Sequence, residues 1–99
     1  MELDETIRLG VLLDIYGKTL SNKKKEMLEM YVFDNMSYQE IADTLGISKP
    51  AVLDSIRVAS KKLNDMEQKL GFMHFRQKLQ KILDTSNNIK ADIQNLLKE

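Results

Sequence analysis

Apolar residues recur along this chain at helical spacing from one end to the other. Between Asp4 and Tyr16, the residues Ile7, Leu9, Val11, Leu12, Leu13, Ile15 and Tyr16 cover more than one helical face, which predicts a core helix that needs cover on several sides. Asp4 is the expected N-cap, and Gly17 to Leu20 ends the helix. Ser21 caps a second helix over residues 22–33, in which Met27, Met30 and Tyr31 fall at i, i+3, i+4 and fill space between helices. Its first turn carries Lys23-Lys24-Lys25, opposed to the helix dipole. With Glu26 and Glu29 close behind, the triplet reads as a solvated face in preference to a phosphate clamp. Asp34-Asn35 then turns the chain.

Residues 37–63 carry the densest local signals. Ser37 is followed three positions later by Glu40, a capping box in which each residue satisfies a backbone N–H at the helix start. Gly46 stands where the chain must turn, and glycine alone takes a positive φ there without a steric penalty. Ser48 caps a following helix whose first turn holds Pro50, where a missing N–H removes no intrahelical bond. Ile41, Ala42 and Leu45 form an inner stripe in the first of these helices. Val52, Ile56, Ala59 and Leu63, at i, i+4, i+7, i+11, form one in the second. The pattern is a helix-turn-helix with a recognition helix over residues 48–62.

Beyond it, Leu63, Met66, Leu70 and Met73 continue an apolar stripe for about one and a half heptads. Gly71 is positioned to bend or break that helix, and Phe72, Phe75, Leu79, Ile82 and Leu83 make a further stripe. After the polar break Thr85-Ser86-Asn87-Asn88, Ile89, Ile93, Leu96 and Leu97 specify a short amphipathic terminal helix. Its apolar face needs a partner: the first helices, a second copy, or another protein. The expected architecture is all-α. Residues 1–70 form a helix-turn-helix core that includes an N-terminal two-helix segment, and residues 71–99 form a helical extension for packing or dimerisation.

Composition narrows the function. Ninety-nine residues, 42% apolar and 30% charged, suit one small helical domain. The absence of Cys excludes disulfides and thiolate chemistry and agrees with a cytoplasmic location. No apolar run approaches a membrane span, so no membrane partner is expected. His74 stands alone, with no ligand set for a metal. No catalytic constellation, phosphate loop or cofactor motif is present, so no enzyme activity and no cofactor are expected.

Net charge is zero, unlike most dedicated DNA-binding domains. The sum hides an asymmetry, since residues 1–47 hold five Lys/Arg against nine Asp/Glu and residues 48–99 hold ten against six. At 100° per residue, Pro50, Asp54, Arg57 and Lys61 point away from the core, with Lys49 and Leu53 at the edges. Placed in a major groove, Arg57 would read guanine or hold phosphate, Asp54 would accept from a cytosine amino group, and Leu53 would touch a thymine methyl. Lys49 and Lys61 would hold the backbone. The same face, with Pro50 and Asp54 in it, also suits an adaptor that binds a protein or ribonucleoprotein.

The pattern Ile41-Ala42-Xaa-Xaa-Leu45-Gly46-Ile47-Ser48-Xaa-Xaa-Xaa-Val52 resembles region 4 of bacterial sigma factors and the LuxR-type regulators, with Ser55 where those families place an apolar residue and Ile56 taking the inward role. A broader match links Thr6-Ile7-Arg8, Leu13-Asp14-Ile15-Tyr16, Leu28-Glu29-Met30-Tyr31, Ser37 with Glu40-Ile41-Ala42, and Ser48 with Ala51-Val52, Asp54 and Ile56. That set resembles the YlxM family, although Ser48-Lys49-Pro50 departs from the Ser-Arg-Gln of its pattern. The resemblance implies a sigma-region-4-like fold, while the helix-turn-helix face and the unpartnered terminal helix carry the expectation of a DNA-binding regulator that forms a homodimer. The resemblance also implies a role in the signal recognition particle pathway, through that particle's genes, RNA or protein.

Overall fold

The computed structural model describes residues 3–85 and 87–98. These form α1 (Leu3–Tyr16), a 3₁₀ turn (Gly17–Thr19), α2 (Asn22–Val32), α3 (Tyr38–Leu45), α4 (Lys49–Leu70), α5 (Phe72–Thr85) and α6 (Asn87–Lys98). The fold is all-α, and α3 and α4 form the helix-turn-helix.

Local chemistry sets the boundaries. The Ser37 hydroxyl accepts from the Glu40 N–H at 3.1 Å, and the Glu40 carboxylate accepts from the Ser37 N–H at 3.1 Å. These hydrogen bonds hold the Glu40 carboxyl below its ordinary pKa. Ser21 and Ser48 cap α2 and α4 by accepting from Lys24 and Ala51, each cap being worth about 1 kcal/mol. Gly46 takes φ 68° between α3 and α4. Asp4 departs from its expected role: α1 begins at Leu3, so Asp4 lies within the first turn, where its charge complements the helix dipole.

The core is built on one face of α4. Val52, Ile56, Ala59 and Leu63 are at most 3% exposed, and they pack with Leu9, Leu12, Leu13 and Tyr16 of α1, Met27 and Leu28 of α2, and Ile41 and Ala42 of α3. Ile56 thus occupies the inward position and fixes the rotation of α4. The first helix is less enclosed than its composition implies, since Ile7 is exposed and Val11 and Ile15 are half-buried. Gly10 lets α1 approach the end of α2, because a Cβ there would lie 3.2 Å from Val32 Cγ1 and 3.3 Å from Phe33 Cε1.

The helix expected over residues 48–62 runs on to Leu70. Gly71, at φ 67°, ends it and α5 begins at once, so the Leu63-to-Met73 stripe is split between two helices. The junction is held by Glu67. Its carboxylate accepts from the Tyr16 hydroxyl at 2.8 Å and from the N–H groups of Met73 at 3.0 Å and His74 at 3.1 Å. A side chain of α4 therefore caps α5. The Tyr16 hydroxyl also accepts from the Phe72 N–H at 3.1 Å, and the two rings stand 6.2 Å apart. Arg8 of α1 reaches α4 through a hydrogen bond to Asn64.

From this junction α5 and α6 leave the core as a helical arm. The molecule measures 53 × 24 × 23 Å, with a radius of gyration of 16.4 Å against about 13 Å for a compact chain of this length. The terminal helix lies along α5 and not back on the first helices. Leu83 is buried within the arm, apart from the main core cluster, whereas Phe75, Ile82, Leu96 and Leu97 remain exposed. Among the described residues no helix is long and apolar enough to cross a membrane.

The Glu67 cap makes stability depend on pH in a stated direction. Partial burial raises the carboxyl pKa, but the Tyr16 hydroxyl, the two backbone N–H donors and the nearby Arg8 charge together outweigh it and hold the value below the ordinary 4.5. A lowered folded pKa adds stability that is complete above the unfolded value and disappears as pH falls through the folded one. Glu67→Gln should therefore lower the melting temperature at pH 7 and flatten its decline between about pH 5 and pH 3. Thermal melts of both chains across that range, followed by circular dichroism, check this. Parallel pH profiles would show that the cap does not contribute.

Candidate nucleic-acid interface

The outward face of α4 begins at the turn. Ser48 fixes the helix start, and Lys49 and Pro50 form its first exposed positions. Leu53, 41% exposed, lies on the flank toward α3, and Asp54, Arg57 and Lys61 follow along the outer surface. All six side chains expected at the interface are solvent-exposed and lie on one continuous side of the helix.

Two of the three cations among them are paired. Arg57 pairs with Asp54 at 2.8 Å, and Lys61 pairs with Asp65 at 3.0 Å. Both pairs are exposed and follow helical i, i+3 and i, i+4 spacing, so each is worth well under about 1 kcal/mol and opens readily when a partner offers a better ligand. In the unbound chain the outer face is nonetheless close to neutral. Asp65 also belongs to this surface, and its position four residues after Lys61 is the spacing that signals such a pair.

A groove of about 480 Å³ runs beside this face, lined by Tyr38, Leu53, Asp54, Ile56, Arg57 and Ser60. Tyr38 forms its wall. It stacks on Tyr31 of α2, with ring centroids 4.9 Å apart and planes within 4° of parallel, and its hydroxyl lies 3.2 Å from that of Tyr31. Burial, then the hydrogen bond with Tyr38, pushes the Tyr31 hydroxyl up to about 12, so that phenol stays neutral and available for hydrogen bonding at neutral pH. The Ser60 hydroxyl oxygen is buried in the groove lining without a hydrogen-bond partner among the described residues. Tyr38 and Ser60 escape a reading of α4's outward positions. One comes from another helix, and the other lies on α4's flank.

A second groove, of about 490 Å³, lies at the foot of the arm between Ile7, Gly10, Val32 and Phe33, with Arg76 and Asp14 4.0 Å apart at its edge. It is remote in sequence from the six interface positions and is lined mainly by apolar side chains. Its chemistry suits packing more than phosphate or base recognition.

Comparison with known proteins agrees with this geometry. A family model described as "Putative helix-turn-helix protein, YlxM / p13 like" matches residues 3–99. The chain is 39% identical over 90 residues to a UPF0122 protein of Mycoplasma capricolum, covering 91% of this chain and 77% of that one. It is 36% identical over 90 residues to a UPF0122 protein of Acetivibrio thermocellus, covering 90% and 77%. A UPF0122 protein of Fusobacterium nucleatum aligns over 103 positions at 36% identity, covering 98% of this chain and all of its own. With the α3–turn–α4 unit in place and a match over nearly every residue, the chain belongs to the YlxM/p13-like helix-turn-helix family, UPF0122.

Proposed function

We propose that this chain is a cytoplasmic regulator that binds duplex nucleic acid through the first half of α4. The observation that supports this most directly is the rigid, doubly capped α3–turn–α4 unit, whose second helix presents Lys49, Pro50, Leu53, Asp54, Arg57 and Lys61 to solvent with no other helix across them among the described residues. A helix so presented fits a major groove and reads base edges from its N-terminal residues. Leu53 offers an apolar contact to a thymine methyl. Arg57, released from Asp54, offers a bidentate donor to guanine, and Lys49 and Lys61 meet phosphates.

The resemblance to a family associated with the signal recognition particle makes that particle's RNA a target to be compared with DNA. A second reading, an adaptor for a protein or ribonucleoprotein, is favoured by the self-neutralised outer face and by the Tyr38–Leu53 groove. Titration of the full chain with duplex DNA, duplex RNA and signal recognition particle RNA, at several salt concentrations, separates the two. Under the nucleic-acid reading Arg57→Ala weakens binding by roughly tenfold, and Asp54→Asn strengthens it by removing a charge that repels phosphate. Absence of binding to all three, with a protein partner that survives nuclease treatment in a pull-down, would favour the adaptor.

The arm supports a homodimer as the working form. Phe75, Ile82, Leu96 and Leu97 are 46–70% exposed on two packed helices, large apolar side chains that a second copy would take out of water. A second copy would cover it and place two helix-turn-helix units on one target. Phe75→Glu with Leu96→Glu should then convert a dimer to a monomer in light scattering, with α-helical content retained. A wild-type chain that remains monomeric at high concentration would exclude this form.

A further inference from the structure

The groove between Tyr38 and the flank of α4 holds an unusual set of groups for a surface used only in packing. Tyr31 covers one face of the Tyr38 ring, with the two planes within 4° of parallel, and the hydroxyls 3.2 Å apart keep the pair in register. The ring is thereby fixed in orientation. Tyr38 lines the groove and Tyr31 does not, so the part of the ring left uncovered is what the groove receives. At 100° per residue, Leu53, Arg57 and Ser60 fall within about 60° of one another on α4, on the flank between its outer face and the buried Ile56. The Ser60 hydroxyl oxygen is buried there with no partner among the described residues, which costs the fold stability that a ligand edge reaching it would restore. Asp54 and Arg57, 2.8 Å apart, put an acceptor and a donor side by side at the rim. The groove measures about 480 Å³, inside the roughly 300–1,000 Å³ range of ligand clefts.

We infer that this groove takes one unpaired nucleobase, stacked on Tyr38, from the nucleic acid that α4 contacts. The inference rests on the nucleic-acid reading and names what distinguishes the target, an unpaired nucleotide beside the paired part. Leu53, Asp54 and Arg57 belong both to the outward set of α4 and to the groove lining, so a base that leaves the duplex next to α4 meets the groove directly. Every base offers a flat π-face to an aromatic ring, and a ring already held by its neighbour loses little freedom when a further plane joins the stack. The polar edge of the base meets the Ser60 hydroxyl, the Asp54 carboxylate as acceptor and the Arg57 guanidinium as donor. A protein segment would meet a different surface from the one it needs: proline-rich peptides dock in grooves lined by several aromatic side chains, and among the described residues Tyr38 is the one ring in this lining.

The test is the affinity of the full chain for three duplexes of about 20 base pairs, roughly two helical turns, each built once as DNA and once as RNA. One is perfectly paired, one carries a single unpaired adenosine at its centre, and one carries an abasic residue in that place. The abasic duplex keeps the extra phosphate and the flexible backbone but lacks the base. Stacking of one base on an aromatic ring is worth roughly 5- to 150-fold in affinity, so the adenosine bulge should bind at least about fivefold tighter than the abasic one. Because stacking neutralises no phosphate, that gain should be the same at every salt concentration. Tyr38→Phe should keep the gain and Tyr38→Leu should lose it. Ser60→Ala should reduce it by roughly two- to tenfold without lowering the melting temperature, because it removes a buried hydroxyl that has no partner. This second variant decides the matter if Tyr38→Leu, which breaks the stack on Tyr31, does not fold. If the wild type binds the adenosine and abasic duplexes alike as both DNA and RNA, or if the gain survives undiminished in folded Tyr38→Leu or in Ser60→Ala, the base site is overturned and the nucleic-acid reading stands. If the wild type binds none of the duplexes, both fall.

Discussion

Everything in this molecule is arranged around the need to cover one face of α4. Val52, Ile56, Ala59 and Leu63 make a stripe about three turns long, and no single neighbouring helix can bury it. Three helices share the task, and the two alanines, Ala42 and Ala59, let backbones approach where larger side chains would hold them apart. The cost of removing one member is that of a large-to-small core change, about 2–5 kcal/mol for a buried leucine such as Leu63, against a total of about 5–15 for a domain. Covering one face also leaves the opposite face bare. The exposed side of α4 is thus a consequence of how the core is closed.

The far end of α4 is governed by a different constraint. A helix that stops at Gly71 and a helix that starts at Phe72 leave four N–H groups without helical partners. Glu67 and Tyr16 supply acceptors for three of them, those of Phe72, Met73 and His74, and tie α1, α4 and α5 together at one point. The Phe75 N–H returns to the Gly71 carbonyl and completes the first turn of α5. The arm therefore leaves the core at a set angle, and the exposed apolar side chains it carries are held out at a distance from the helix-turn-helix. Separation of the helix-turn-helix from the apolar arm follows from this junction.

Charge in the interface is distributed by the same geometry. Asp54 and Asp65 neutralise Arg57 and Lys61 through short-range helical spacing, so the outer face of α4 carries shape and a few exchangeable hydrogen bonds more than net charge. Beside it, Lys62 reaches from α4 to the Thr19 carbonyl of the 3₁₀ turn, and Lys25 of α2 lies over Gly17.

How much of this is legible in the chain depends on the distance over which each signal acts. The capping box at Ser37 and Glu40, the caps at Ser21 and Ser48, the turn at Gly46 and the inward set of α4 are all decided within a few residues, and each can be read from the residues themselves. Asp4 shows the limit even there, since an acid suits both the cap and the first turn and local preference does not separate the two. The six outward positions of α4 follow from helical periodicity alone, which specifies direction but not electrostatic partners. Contacts between residues far apart along the chain are hidden: Tyr16 to Glu67, Arg8 to Asn64, Lys62 to Thr19, and the Tyr38 wall of the groove. The sequence by itself determined that this is a capped helix-turn-helix with an amphipathic extension, because periodicity and capping act over one or two helical turns. Only the tertiary structure decided that Glu67 would anchor the arm and that Tyr38 would wall a groove beside α4, because those outcomes depend on which faces the closed core brings together.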